Sequence, residues 1–216
     1  MWEANYHKWR DEAALCLDLL GYFPSPEVGR ELREALLFKD PKLQYYAASG
    51  LLRQGKEVDR QAFFDMAGSD EVRNWLYAVM KEKGKLSLFP EKYNTQEAFA
   101  RCAMVLWLVY PTELGRVPDD IELMKVVSRD SKDSDVILDT YLFRFRTNAP
   151  NRWKRTGWIA GISGPYARKD APTIRSLGSS FSSFEPWDKR TPEGHVEYLL
   201  GFLEESWKAH VKTLTE

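Results

Sequence analysis

The spacing of apolar residues changes near residue 115, and this change constrains the fold more than any other feature of the chain. Before it, apolar residues recur every three or four positions, as they do in amphipathic helices. After it, they alternate in short runs separated by polar segments, as they do in strands. A chain of 216 residues is long enough for one large core or two small ones. We therefore predict an α+β protein with a helical region over residues 1–115 and a region over residues 116–216 made of an antiparallel sheet and a C-terminal helix, the two packed together as one compact unit.

Capping residues mark the helices of the first region. Ser25-Pro26-Glu27 and Asp40-Pro41 each place a capping side chain before a first-turn proline, which is typical of a helix N-terminus. The segment Asn94-Thr95-Gln96-Glu97 has the form of a capping box and predicts a last helix that runs to about Val109. The first helix is predicted to bury one face, made of Tyr6, Trp9, Ala13, Cys16, Leu17 and Leu20.

The segment from Leu36 to Leu52 resembles the inter-helix turn and second helix of a HEAT repeat. It has Asp40-Pro41 at the turn and the small residues Ala47-Ala48 on the helix. A weaker copy begins at Ser69-Asp70, so the resemblance covers about residues 26–110. It implies a short α-solenoid that binds another protein, and it identifies no partner. An ordinary helical bundle is the alternative.

The second region contains three predicted strands. Residues 121–127 and 136–146 are predicted to form a hairpin, and residues 157–163 a third strand. In the second strand Tyr141, Phe143 and Phe145 alternate with more polar neighbours, so one face of the sheet is predicted to be core and the other at least half solvated. The C-terminal helix from Pro192 is predicted to cover the sheet, and residues 176–188 to form an ordered loop held by Phe181, Phe184 and Trp187.

A basic segment at the end of the predicted hairpin is the first candidate site. Residues 141–190 contain ten basic and three acidic residues in a chain whose net charge is −1. The candidate residues are Arg144, Arg146, Arg152, Trp153, Lys154 and Arg155. Three interpretations stay open: docking on an acidic surface of another protein, binding of nucleic acid, and a solvated hairpin end paired with acids elsewhere in the chain. The balanced net charge disfavours nucleic acid.

A second candidate site lies in the loop before the last helix and contains Glu185, Trp187, Asp188 and His195. With Ser182 or Ser183, His195 could form a nucleophile–base–acid set. The simpler interpretation is a surface histidine and two carboxylates that bind amides of their own loop. No Gly-x-Ser-x-Gly motif supports catalysis, and we predict no catalytic residue here.

Metal and cofactor sites are not predicted, because the three histidines and two cysteines have no metal-ligand spacing. Cys16 and Cys102 lie among apolar residues and are expected to be buried free thiols, although a disulfide is the alternative. The longest apolar run, 102–110, is too short to cross a bilayer, and the N-terminus lacks a signal pattern. We therefore expect a cytoplasmic protein without a membrane partner. The abrupt start also suits a piece of a longer chain.

The function that these features favour is a non-enzymatic protein-binding module, such as a bacterial adaptor or an immunity-type neutralising partner of another protein. The expected partner has an acidic surface. Nucleic-acid binding through residues 144–155 is one alternative, and an uncharacterised enzyme that uses residues 176–195 is the other.

Overall fold

The computed structural model describes residues 2–131, 135–148, 157–174 and 179–215, with the side chains of 2–5 and 206–215 left out. Within these residues it has an α+β fold with seven α-helices and a four-stranded antiparallel sheet, which confirms the predicted fold class and the C-terminal helix. The helices are α1 (Trp2–Leu20), α2 (Pro26–Ala35), α3 (Pro41–Arg53), α4 (Arg60–Gly68), α5 (Arg73–Glu82), α6 (Gln96–Leu108) and α7 (Pro192–Thr215). The strands are β1 (Asp120–Asp130), β2 (Ile137–Arg146), β3 (Ile159–Ala167) and β4 (Ser179–Phe181).

The chain divides into two compact units, Met1–Asn94 and Thr95–Glu216. The first is the helical unit and contains α1 to α5; the second is the sheet unit and contains α6, the four strands and α7. The boundary therefore precedes α6, whereas the change of apolar spacing follows it.

The caps predicted at Ser25 and Asp40 form in the helical unit. The Ser25 hydroxyl accepts a hydrogen bond from the Val28 amide at 3.1 Å. The Asp40 carboxylate accepts from the amides of Lys42 and Leu43 at 2.9 and 3.1 Å. Each bond satisfies an amide that the helix itself leaves unpaired, so the short helices begin where the sequence predicts.

Helix α3 is the centre of the helical unit and packs against α1, α2, α4 and α5. Its residues Ala47, Ala48 and Leu51 are fully buried. The end of α1 approaches α3 closely at two glycines, since a Cβ on Gly21 would lie 2.7 Å from the Gly50 Cα. Small residues thus let the helix backbones come together.

The face of α1 predicted to be buried is buried only in part. Leu17 is buried and Ala13 and Leu20 are partly buried, but the prediction was wrong for the other three residues. Tyr6 and Trp9 are 48% and 56% exposed, and Cys16 is also exposed. The buried residues of α1 are Leu17 and Ala14, which was not predicted, and they lie seven and four positions after Arg10. Because Arg10 is charged, a pattern built from apolar residues alone omits it and includes the exposed Tyr6 and Trp9. Neither cysteine forms a disulfide, and only Cys102 is buried as expected.

The sheet has the strand order β1-β2-β3-β4, with all neighbouring pairs antiparallel. On one face Phe143 and Phe145 pack with Met104 and Leu108 of α6. On the other face Leu142 and Ile162 pack with residues of α7, including Val196 and Leu199. The expectation of a half-solvated face was wrong at Leu142 and Ile162, because α7 covers them, while Arg144 and Arg146 on the same face are partly exposed. The face that was expected to be core is covered by α6.

The predicted loop before α7 is described from Ser179 onward, where aromatic residues hold it as expected and where it also contains the short strand β4. Phe184 is buried and packs with Trp107 and Phe145. The ring of Phe181 stacks on Phe202 at 4.9 Å.

None of the helices in the described part of the chain combines the length and the apolar character needed to span a membrane.

Candidate functional site

The two arginines of the basic segment that the structure describes are already paired. Arg144 binds the Glu122 carboxylate through Nε at 2.8 Å, and Arg146 binds Asp120 through Nε at 2.6 Å. Both guanidinium groups also lie over the ring of Trp158, 4.4 and 4.9 Å from its centroid. Their charges are therefore balanced by carboxylates of the neighbouring strand.

The register of the hairpin explains this pairing. Glu122 lies opposite Arg144 and Asp120 lies opposite Arg146 on β1 and β2, where oppositely charged side chains attract each other. Because the sequence predicts this hairpin, it also allows Arg144 and Arg146 to be matched with the acidic residues of β1. The remaining residues of the basic segment, Arg152, Trp153, Lys154 and Arg155, lie outside the described residues.

In the second candidate site, Ser182 and His195 bind backbone groups rather than each other. The Ser182 hydroxyl donates to the Ala160 carbonyl at 2.6 Å and accepts from the Phe184 amide at 2.9 Å. His195 is 1% exposed, its Nε2 lies 2.9 Å from the Trp187 carbonyl oxygen, and its ring stacks on the Trp187 indole. The prediction that His195 is a surface residue was wrong, because the Trp187 indole covers the first turn of α7.

Glu185 forms ion pairs instead of the expected hydrogen bonds to loop amides. Its carboxylate binds Lys189 Nζ at 2.6 Å and Arg190 Nε at 2.9 Å. The hydrogen bond from Arg190 and the one from Lys189 hold the pKa of Glu185 below its ordinary value, against the effect of burial. Asp188 is exposed. The contacts of Glu185, Trp187 and His195 thus hold the loop against the start of α7.

A groove in the helical unit was not predicted from the sequence. It has a volume of about 670 Å³ and lies where the end of α2, the start of α3 and α4 meet. Its lining is mixed: apolar side chains come from Leu36, Leu37, Phe38, Pro41 and Phe64, and the remaining lining residues are Lys39, Gln44, Asp65, Gly68 and Tyr93. This surface is the apolar groove.

Three large apolar side chains of the apolar groove are open to water. Leu37 is 82% exposed, Phe38 is 49% exposed and Phe64 is 41% exposed. Leu37 and Phe38 follow the last residue of α2, whose inward face is already filled by Leu32 and Ala35. Leu36 of the same turn packs against that face, whereas the side chains of Leu37 and Phe38 are open to water.

The turn at the end of α2 is closed by its own hydrogen bonds. The amides of Leu37 and Phe38 donate to the carbonyls of Glu34 and Ala35 at 3.0 and 3.3 Å. The Gln44 side-chain amide donates to the Leu36 carbonyl at 3.0 Å. The apolar side chains are therefore held on an ordered turn.

The opposite wall is built from aromatic rings and cations. Phe64 and Tyr93 are in contact, with ring centroids 5.4 Å apart. Lys92 Nζ lies 5.1 Å from the Tyr93 centroid and 6.0 Å from that of Phe64. The buried Arg73 lies 5.4 Å from the same Tyr93 ring and binds the Ala67 carbonyl at 2.6 Å. Tyr93 is thus fixed from both sides.

The charge of the apolar groove comes from few residues. Lys39 is exposed, and neither it nor Lys92 forms an ion pair with any residue of the described ranges. Asp65 accepts a hydrogen bond from the Gln61 side chain at 2.8 Å. The groove therefore combines apolar side chains with the ammonium group of Lys39 and the carboxylate of Asp65, and the ammonium group of Lys92 lies beside it over the rings of Phe64 and Tyr93.

Comparison with known proteins gives no match: no family model, curated protein or solved structure is similar to this chain. Among the residues that the structure describes, no three His, Cys, Asp or Glu side chains are grouped to hold a metal ion.

Proposed function

We propose that this protein is a non-enzymatic, cytoplasmic protein-binding module and that a partner docks in the apolar groove. The observation that carries the proposal is the convergence of exposed Leu37, Phe38 and Phe64 in one groove. Contiguous apolar surface on a folded protein typically marks an interaction site, because its exposure to water is unfavourable. An adaptor or an immunity-type neutralising protein would use such a surface.

The resemblance of residues 26–110 to HEAT repeats supports the same proposal. The Asp40-Pro41 turn joins α2 to α3, and Ala47 and Ala48 are buried where α3 packs on its neighbours. Stacked helix pairs of this kind present extended surfaces that bind other proteins. The apolar groove lies at the turn that carries the resemblance.

The basic segment is a weaker docking site in the part that the structure describes. Arg144 and Arg146 are engaged with Glu122 and Asp120, and a partner would have to displace these carboxylates. At Leu37 and Phe38 a partner would displace only water and would not have to break an ion pair. The apolar groove is therefore the preferred site.

A photo-crosslinking experiment in living cells tests the proposal. A benzophenone amino acid is placed at Leu37, inside the groove, or at Tyr110, which is 64% exposed in the sheet unit. We expect a crosslinked partner from position 37 that is lost when Phe64→Ser is added, and none from position 110. Equal crosslinking from both positions, or no effect of Phe64→Ser, would contradict docking in the groove. Circular dichroism of each variant checks that the fold is retained.

A further inference from the structure

We infer that the apolar groove binds an acidic amphipathic segment of another protein, whose apolar side chains enter the groove while its carboxylates meet Lys39 and Lys92. The inference rests on the proposed function, because it names the partner class for the same site. It follows from the shape of the groove and from its charge.

The size of the apolar groove suits a few side chains rather than a whole protein surface. A volume of about 670 Å³ is in the range of sites that enclose a small molecule or several side chains. Leu37 and Phe38 form one wall and Phe64 the other. An amphipathic helix offers apolar side chains at three- and four-residue spacing, which is a common way to fill such a groove.

The cations at the apolar groove indicate which charge the partner segment should carry. Lys39 lines the groove, and Lys92 holds its ammonium group over the rings of Phe64 and Tyr93. Within the described ranges neither lysine has a carboxylate partner, and Asp65 already accepts a hydrogen bond from Gln61. The positive groups outnumber the negative one, so carboxylates on the partner would gain attraction and lysines would meet like charge.

Two synthetic amphipathic peptides test the inference with the full chain. They share one apolar face of Leu and Phe, and the polar face carries Glu in one and Lys in the other. Fluorescence anisotropy of the labelled peptides should show tighter binding of the Glu peptide, by about tenfold at low salt, with the difference shrinking at high salt.

Charge reversal at the lysines separates the inference from the proposed function. Lys39→Glu combined with Lys92→Glu should invert the preference between the peptides, whereas the matched control Lys8→Glu, on the exposed side of α1, should leave it unchanged. Leu37→Ser should weaken both peptides. Equal binding of the two peptides, or no inversion, would overturn the acidic partner and leave groove binding intact. Binding that Leu37→Ser does not affect, or no binding of either peptide, would overturn both.

Discussion

Glu71 accepts hydrogen bonds from both terminal nitrogens of Arg10, each at 2.7 Å. The third donor of the guanidinium, Nε, binds the Asp40 carboxylate at 2.6 Å. The three side chains are only 9% to 13% exposed. One arginine of α1 therefore connects the cap of α3 with the segment that precedes α5.

Removal of the Arg10 guanidinium should destabilise the helical unit strongly. Arg10→Met keeps much of the side-chain volume but leaves the carboxylates of Asp40 and Glu71 largely buried and without their cation. The expected loss is about 3–5 kcal/mol in the free energy of unfolding, measured in urea. The control is Lys8→Met, because the Lys8–Glu12 pair is exposed and 3.9 Å long, and it should change nothing measurable. A loss for Arg10→Met as small as that of the control would show that the network contributes no stability.

Because of the ion pairs of Arg10 with Asp40 and Glu71, we expect the protein to lose stability in acid. Burial acts to raise the pKa of Asp40, but the hydrogen bonds from Arg10 and Tyr6 outweigh it and hold the pKa below its ordinary value. A lowered pKa gives stability that is present above the unfolded value of about 4 and is lost as the pH falls through the folded value. Asp40→Asn keeps a good N-cap but has no charge to titrate. Urea unfolding of both proteins from neutral to acid pH should show their difference shrinking; parallel curves would contradict this account.

Ionisation of Tyr141 should destabilise the fold at high pH. Burial is the main cause that raises its pKa to about 12, and its hydroxyl donates to Gln96 Oε1 at 3.1 Å. Because an unfolded tyrosine ionises near pH 10, its neutral form stabilises the fold below that pH, and this stability is lost as the pH rises towards 12. The pH dependence of urea unfolding should be less steep in Tyr141→Phe, although Tyr166, whose pKa is also raised, keeps some of it. An unchanged slope would exclude Tyr141 as a contributor.

The close approach of β3 to α6 should not tolerate a side chain at Gly161. An alanine Cβ there would lie 2.4 Å from Met104 Cε and 3.1 Å from Phe145 Cε1. Gly161→Ala should cost about 1–3 kcal/mol, and less in a Met104→Ala background, where the methyl group fills vacated space. Gly201→Ala is the control, since its Cβ would meet nothing within 4 Å on the exposed side of α7. It should be neutral or stabilising, and an equal loss at both glycines would refute the packing explanation.

Leu37 should matter little for folding, although it is proposed to matter for binding. Because its side chain is 82% exposed, Leu37→Ser should change the free energy of unfolding by less than about 0.5 kcal/mol. Leu32→Ala, one turn earlier and fully buried, should cost about 2–5 kcal/mol. Urea unfolding of the two variants measures the contrast. A large loss for Leu37→Ser would mean that the residue belongs to the core of the unit.

Local signals in the sequence were enough to predict the helix starts and most of the strands. Ser25 and Asp40 each cap the helix that they were expected to cap, because a cap depends on neighbours within three residues. The cap of α6 is Thr95, one residue after the Asn94 that the capping box predicts. The alternation at Tyr141, Phe143 and Phe145 gave the face of β2 that packs on α6. These features need no knowledge of distant contacts.

The features that could not be predicted depend on residues far apart in the chain. The inward face of α1 follows from the binding of Arg10 to Asp40 and Glu71, which lie in other segments. The burial of His195 follows from the position of the Trp187 indole. The apolar groove needs Phe64 and Tyr93 beside Leu37, and no local pattern places them together. Three consecutive apolar residues at the end of α2, Leu36 to Phe38, were the one visible hint.

The position of α6 determines where the polypeptide could be divided. A cut near residue 115, at the change of apolar spacing, would remove Met104 and Leu108 and leave the aromatic rings of Phe143 and Phe145 in water. Such a fragment would aggregate through that sheet face. A cut between Asn94 and Thr95 would keep α6 with the strands that it covers. Gene fusions and domain exchanges with this protein should therefore use the joint ahead of α6.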